Sequence, residues 1–203
     1  MEATAIILAG GASSRMGKNK ALLSLGEYTV IEWIVSELMK LTDHVLIVTN
    51  SSDDFQFLDL PMVEDEWKGK GPLAGIQAGL HDSKTEKNLV VACDMPFISA
   101  DVGRILLDGL EDDFLAVVPQ FAGRLHPLFA AYHKKVHKMI QPSLSSGDLS
   151  MRRFLEQVPV KIMRKEDFEN QAYLLKDIDF FNMNDKHAFI HALNIHKNRN
   201  LHR

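Results

Sequence analysis

Residues 5–20 read AIILAGGASSRMGKNK, and this stretch decides the fold. The apolar run from Ala5 to Ala9 is short and ends in glycines, which is typical of a buried strand that leads into a loop. Gly10, Gly11 and Gly17 let the backbone adopt positive φ angles and approach an anion closely. Successive backbone N–H groups in such a loop form a concavity that binds anions.

Arg15 and Lys20 supply positive charge to this loop for phosphate oxygens. Two familiar glycine-rich sites fail on spacing. A P-loop requires G-x-x-x-x-G-K-[ST], but Ala12 stands where the first glycine belongs and Asn19 where the hydroxyl residue belongs. A dinucleotide-binding loop requires G-x-G-x-x-G, which is also absent. The spacing alone leaves a plain flexible loop as the alternative to a phosphate site.

The rest of the chain alternates short apolar runs with stretches of helical periodicity. Thr29 stands three residues before Glu32, which is the spacing of a capping box at a helix start. The predicted strands are 5–9, 44–49, 61–64, 88–93, 114–119, 125–132 and 160–163, and the predicted helices begin at Thr29 and span 72–81, 100–110, 134–140, 150–158 and a last stretch after Asn184. Near-continuous apolar strands alternating with helices predict an α/β fold with a mostly parallel central sheet.

The composition is that of an ordinary globular protein, with 46% hydrophobic and 25% charged residues. We expect the 203 residues to form one domain, 1–203, with a frayed tail from about residue 196. A net charge of -4 argues against a nucleic-acid binder. No apolar run approaches the roughly 18 residues of a membrane span. A single cysteine and an N-terminus without signal-peptide character favour the cytoplasm.

The motif LAGGxSxRMGxxKAL, from Leu8 to Leu22, resembles the N-terminal signature of the MobA-like nucleotidyltransferases, especially that of the molybdenum cofactor guanylyltransferases. Asn19 departs from the acidic residue that is common at its position. The resemblance implies a three-layer, Rossmann-like nucleotidyltransferase fold. It also implies that Leu8, Ala9, Gly10, Gly11 and Lys20 bind the nucleotide, and that Arg15 and Lys20 act on the triphosphate in catalysis.

Asp94 ends a buried strand, and ligands of open α/β sheets bind beyond the carboxyl ends of strands. A carboxylate at this place can hold Mg²⁺ on a triphosphate. A turn aspartate before Pro96 is the structural alternative. The run Cys93-Asp94-Met95-Pro96 resembles the metal-binding motif of the family, which implies that Asp94 is a catalytic metal ligand and contacts the nucleotide.

Asp65 and Asn50 follow two other predicted strands. Asp65 precedes the run GPLAG at 71–75, which resembles the family's segment beside the nucleotide and implies that Asp65 contacts the guanosine. A solvated acidic loop at 64–66 is the alternative. Asn50 is a candidate for recognition of the base or ribose, with turn formation as its alternative.

Three later residues are candidates for the acceptor side. The resemblance extends to the pair His126-Pro127 and to Asn182 and Asn184 in the run NMND. It implies that His126 shapes the acceptor pocket, and that the two asparagines hold the metal-bound phosphates or the acceptor. Helix capping is the alternative for the asparagines.

The family resemblance implies that GMP passes from GTP to the terminal phosphate of molybdenum-molybdopterin, and that pyrophosphate leaves. The implied partners are GTP, the molybdopterin cofactor, and molybdoenzyme apoproteins or cofactor-handling proteins that receive the product. Related cytidylyltransferases read LAAG where this chain has LAGG at 8–11, which favours GTP. A nucleotidyltransferase that uses CTP or another acceptor, and a non-catalytic nucleotide-binding adaptor, remain the alternatives.

Overall fold

The computed structural model describes residues 2–10 and 19–200. Its strands are β1 (Ala3–Leu8), β2 (Ser24–Leu25), β3 (Tyr28–Thr29), β4 (Val45–Val48), β5 (Met62–Val63), β6 (Lys87–Ala92), β7 (Ala116–Phe121), β8 (Arg124–Leu125), β9 (Phe129–His133) and β10 (Val160–Met163). Its helices are α1 (Val30–Leu38), α2 (Pro72–Asp82), α3 (Ala100–Asp108), α4 (Val136–Ser146), α5 (Met151–Leu155), α6 (Lys165–Glu169) and α7 (Lys186–Asn200). Short 3₁₀ segments lie at Lys20–Leu22, Ser52–Leu58 and Asp177–Phe180.

The central sheet has the strand order β10-β7-β9-β6-β1-β4-β5, and β8 pairs with β7 as an eighth strand. Strand β1 lies between β6 and β4, and both pairings are parallel. Strand β9 is antiparallel to both of its neighbours, β6 and β7. The prediction of a mostly parallel α/β sheet is therefore confirmed.

Helices cover both faces of this sheet, because the side chains of the central strands are buried on both sides. Along β1, Ala5 and Ile7 pack into one apolar cluster with residues of α1, α3 and α7. Ile6 and Leu8 pack into the opposite cluster with residues of α2, α4 and α5. The architecture is thus three-layered, as predicted. Within the described residues, no helix combines the length and apolar character needed to cross a membrane.

Helix α2 approaches the sheet closely at Gly79. A Cβ on this residue would lie 2.5 Å from Cγ2 of Ile6 and 3.0 Å from Cγ2 of Val48. Both side chains are fully or almost fully buried and β-branched, so they have little freedom to move aside. The absence of a side chain at Gly79 therefore lets α2 lie this close to the sheet. It also sets the position of the run GPLAG at 71–75, with which α2 begins.

The predicted strand 125–132 is wrong as one element. The structure divides it into β8 and β9, with a turn closed by the N–H of Phe129 on the carbonyl of His126 (3.1 Å). Pro127 lies within this turn, and a proline cannot donate a ladder hydrogen bond. The division places His126 at the edge of the sheet instead of within it.

The sequence predicts a frayed tail from about residue 196, and in the structure α7 continues to Asn200. The ring of His196 packs against Trp33 with a centroid separation of 5.0 Å, and Ile195 packs against the core. These contacts stabilise a segment whose polar composition predicts no burial. The short elements β2, β3 and α6 were not predicted, and each is at most five residues long.

Candidate active site

The predicted site residues gather at one edge of the sheet. Strands β1, β4, β5 and β6 are parallel neighbours, so their carboxyl ends meet at that edge. Gly10 follows β1, Asn50 follows β4, Asp65 follows β5 and Asp94 follows β6. This is the position where open α/β sheets bind ligands.

The structure brings Lys20, Asp94, Asn182 and Asn184 together. Nζ of Lys20 donates to the backbone carbonyl of Asn184 at 2.8 Å. The backbone N–H of Met183 donates to the carbonyl of Asp94 at 2.8 Å. The side chain of Asn182 interacts with the carboxyl group of Asp94 and lowers its pKa. Residues that lie far apart in the sequence thus form one polar group.

This group has unused ligand atoms. Among the described residues, Oδ1 of Asp94 and Oδ1 of Asn182 are buried and have no hydrogen-bond partner. Burial raises the pKa of Asp94, while the nearby charge of Lys20 and the hydrogen bonds to the carboxyl group lower it. A buried, unpaired oxygen pair of this kind is costly unless something polar binds there. Carboxylate and amide oxygens are the ligands that Mg²⁺ prefers.

The described residues contain no group of three or more histidine, cysteine, aspartate and glutamate side chains that could hold a metal ion by themselves. Magnesium ions usually bind through one or two carboxylates together with water and the phosphates of a substrate. The donor set around Asp94 therefore fits a metal ion that arrives with a triphosphate better than a permanently bound one.

Asn50 and Asp65 form a second polar group. Oδ1 of Asn50 accepts the backbone N–H of Asp65 at 3.1 Å, and Oδ1 of Asp65 accepts the N–H of Trp67 at 2.8 Å. Burial raises the pKa of Asp65, against the hydrogen bond from Trp67 and the charge of Lys68. Asp65 is half-buried and hydrogen-bonded, which differs from the freely solvated acidic loop that was the alternative.

The end of β1 lies between these two groups. The carbonyl of Leu8 accepts the N–H of Cys93 at 3.2 Å, and the N–H of Ala9 donates to Val48 at 2.9 Å. At Gly10, a Cβ would come no closer than 4.0 Å to its nearest described neighbour, the carbonyl oxygen of Val48. Packing against the described residues does not require a glycine there.

His126 lies in a separate aromatic group at the same edge. Its ring stacks on Phe180 with a centroid separation of 4.4 Å, and Phe121 stacks on Phe180 at 5.4 Å. Burial lowers the pKa of His126, and its Nε2 atom is buried without a partner among the described residues. Phe180 was missed from the sequence, although two adjacent phenylalanines directly before Asn182 were a usable signal.

Gly11 and Arg15 lie outside the described residues, as does the whole stretch 11–18. The structure therefore describes the two flanks of the glycine-rich loop, which are β1 with Gly10 on one side and the 3₁₀ segment with Lys20 on the other.

Comparison with known families agrees with this geometry. The model of the MobA-like NTP transferase domain matches residues 5–162. The chain belongs to the MobA-like NTP transferase family. Membership in this family of NTP transferases confirms that the chain is an enzyme, and it confirms the recognition of the family from its N-terminal motif. Nucleotidyltransferases of this kind usually use a divalent metal ion.

Relatives of this MobA-like chain carry a more specific name. A protein of Carboxydothermus hydrogenoformans, 38% identical over 85% of this chain and 88% of its own length, is named probable molybdenum cofactor guanylyltransferase. A protein of Bacillus cereus with the same name is 37% identical over 92% of this chain and 94% of its own. The solved molybdopterin-guanine dinucleotide biosynthesis protein A of Archaeoglobus fulgidus superposes with a TM-score of 0.79 at 24% identity, covering 96% of this chain and 99% of that one. This likeness confirms the predicted nucleotidyltransferase fold.

Proposed function

We propose that this enzyme transfers GMP from GTP to the terminal phosphate of molybdenum-molybdopterin and releases pyrophosphate. The names of the relatives that match most of the chain support this reaction. We further propose that the metal ion is Mg²⁺, that residues 1–203 act as one domain, and that the enzyme works in the cytoplasm. Molybdoenzyme apoproteins or cofactor-handling proteins would receive the product.

The observation that carries the proposal is the convergence of Lys20 and Asp94. An ammonium group and a half-buried carboxylate with a buried, unpaired oxygen lie on two sides of one sheet edge, joined by the segment 182–184. A triphosphate with its metal ion needs both kinds of group, because the cation neutralises phosphate oxygens and the carboxylate binds the metal. The glycine-rich loop begins at the same edge.

In the proposed reaction, an oxygen of the acceptor phosphate forms a bond with the α-phosphorus of GTP. The bond between the α-phosphorus and the bridging oxygen to the β-phosphate breaks, and pyrophosphate leaves with that electron pair. The acceptor phosphate is already ionised near neutral pH, so the protein needs no strong general base. Alignment of the two anions and neutralisation of their charge are its main tasks.

Each of the site residues then has a proposed role. Asp94 would hold Mg²⁺, which would neutralise charge on the phosphate oxygens. Lys20 and Arg15 would stabilise the charge that develops on pyrophosphate. The backbone from Leu8 to Gly11 would lie against the triphosphate. Asn50 and Asp65, which are already hydrogen-bonded to each other, would contact the nucleoside.

On the acceptor side, His126 would act as a shaping group and not as a cation. Burial lowers its pKa, which favours the neutral ring, and the ring stacks on Phe180. Asn182 and Asn184 would hold the metal-bound phosphates or the acceptor, since both lie in the segment that joins Lys20 to Asp94.

The direct test is calorimetric binding of GTP, CTP and ATP with and without Mg²⁺, followed by pyrophosphate release in the presence of molybdenum-molybdopterin. We expect GTP to bind best and only with the metal ion. A preference for CTP would indicate a cytidylyltransferase instead of a guanylyltransferase. Tight GTP binding with no turnover on any acceptor would indicate an adaptor instead of an enzyme of this pathway.

Two substitutions test the residue roles. Asp94→Ala should abolish metal-dependent turnover, and normal turnover would contradict the metal assignment. Lys20→Ala should weaken GTP binding about tenfold or more, since hydrogen bonds to charged groups contribute roughly 1.5–3 kcal/mol. His81→Ala is a suitable control. His81 lies near the end of α2, away from the glycine-containing run with which the helix begins, and its exposed side chain lies on the side of the fold that α4 covers.

A further inference from the structure

Helix α7 is linked to the surroundings of both proposed triphosphate ligands: it packs on the hairpin that follows the Lys20 segment, and it reaches the loop after Asp94 through Phe181. Its first residues follow directly on Asn184, whose carbonyl accepts Lys20. The backbone N–H groups of Ala188 and Phe189 bond to the side chain and carbonyl of Asp185, which fixes the start of the helix. The position of α7 and the position of the Lys20 acceptor are thereby coupled.

On one side, α7 packs on the hairpin formed by β2 and β3, which follows the Lys20 segment. His196 lies against the ring of Trp33 at a centroid separation of 5.0 Å. The Nε1–H of Trp33 donates to the carbonyl of Leu25 at 2.8 Å. His196 also fills the space beside Gly26, where a Cβ would collide with Nε2 of the imidazole and lie 3.0 Å from Cδ2. Gly26 itself has a φ of 76°, which favours glycine.

On the other side, α7 reaches the loop that follows Asp94. The ring of His191 lies 5.5 Å from that of Phe181, and Phe181 lies 5.7 Å from Phe97. Phe97 is three residues beyond Asp94 in the sequence and is buried. One helix thus touches the hairpin beside Lys20 directly and the loop beside Asp94 through Phe181.

We propose that α7 is a positioning element that sets Lys20 relative to Asp94, and that His196 is the positioning residue that locks it onto the hairpin. This inference rests on the proposed roles of Lys20 and Asp94 in holding a metal-bound triphosphate. His196 touches neither proposed substrate; it acts by holding the hairpin against α7. Helix α7 also lies beyond residues 5–162, the part that the family model matches.

The test is a double-substitution cycle read by calorimetric binding of Mg²⁺-GTP to the full chain. His196→Ala should weaken binding about fivefold, because the ammonium of Lys20 is less often in place. In a Lys20→Ala background, the same substitution should change binding less than twofold, because His196 acts on the ligand through the Lys20 side chain, which is then absent. His196→Phe keeps a ring against Trp33 and should restore most of the affinity. Lys197→Ala, an exposed neighbour on the same turn, is the matched control and should bind as the unsubstituted chain does.

A structural readout keeps the test independent of catalysis. Hydrogen exchange at residues 19–25 should be faster in His196→Ala than in Lys197→Ala. Equal losses from His196→Ala in both backgrounds would overturn the inference, because they would indicate general destabilisation. Unchanged GTP binding and unchanged hydrogen exchange in His196→Ala would also overturn the inference. If Lys20→Ala leaves GTP binding unchanged, the proposed role of the glycine-rich loop fails, and the inference about α7 fails with it. If Lys20→Ala weakens binding tenfold and His196→Ala has no effect, only the inference about α7 is overturned.

Discussion

Replacement of Gly79 by alanine tests whether α2 is held at the sheet by close packing. The new Cβ would lie 2.5 Å from Cγ2 of Ile6 and 3.0 Å from Cγ2 of Val48, well inside normal contact distance. Overpacking of a buried site costs about 1–3 kcal/mol, and two colliding β-branched side chains place this site near the upper end. The better helix propensity of alanine offsets about 1 kcal/mol of that cost.

The expected net loss for Gly79→Ala is about 2 kcal/mol, which lowers the melting temperature of a chain of this size by roughly 4–8 °C. Thermal unfolding followed by circular dichroism or calorimetry measures this shift. Gly75→Ala, one turn earlier on α2, is the matched control. Its Cβ would meet Cδ2 of Leu8 at 3.3 Å, which is the end of a flexible side chain. A melting temperature for Gly79→Ala equal to or above that of the unsubstituted chain, or equal losses at both glycines, would refute the close-packing argument.

Three further predictions concern other parts of the molecule. Tyr132→Phe removes the hydroxyl that donates to the carbonyl of Pro127 at 2.8 Å, so we expect a loss of about 1–2 kcal/mol in urea unfolding; an unchanged midpoint would contradict this. Hydrogen bonds from Arg153 hold the pKa of Asp148 below its ordinary value. The ionised carboxylate therefore stabilises the fold at pH values above its pKa in the unfolded chain. This stabilisation is lost as the pH falls through the lower pKa of the folded protein. Asp148→Asn should therefore lower the melting temperature at about pH 7 but not at about pH 2. An equal loss at both pH values would contradict this role of the ionised carboxylate. Removal of divalent metal with EDTA should abolish pyrophosphate release from GTP without lowering the melting temperature, because the described residues hold no metal cluster that could support the fold; excess Mg²⁺ should restore turnover.

Much of the central sheet could be predicted because the information is local. The apolar runs of β1, β4 and β6 are buried on both faces, so each is visible as a continuous hydrophobic segment. The start of α1 is visible as the Thr29–Glu32 capping box, which the structure contains. Asp94 is visible because it stops such a run.

Other features depend on contacts between distant parts of the chain. The sequence after residue 184 is polar, yet α7 continues because His196 packs against Trp33 of α1 and beside Gly26 of the hairpin, and Ile195 packs against the core. The partner of Lys20 is a backbone carbonyl, which no side-chain pattern can identify. These are the places where tertiary packing overrides local propensity.

The hydrogen bond between Lys20 and Asn184 joins residues 164 positions apart. During synthesis the strand that leads to Lys20 leaves the ribosome well before its acceptor, because the chain emerges in sequence order. A nascent chain can assemble β1, β4 and β6 well before that point and still lack the Lys20 contact. The binding edge is therefore completed only after residue 184 has emerged, so a chain interrupted before that residue would hold most of the sheet without the Lys20 contact.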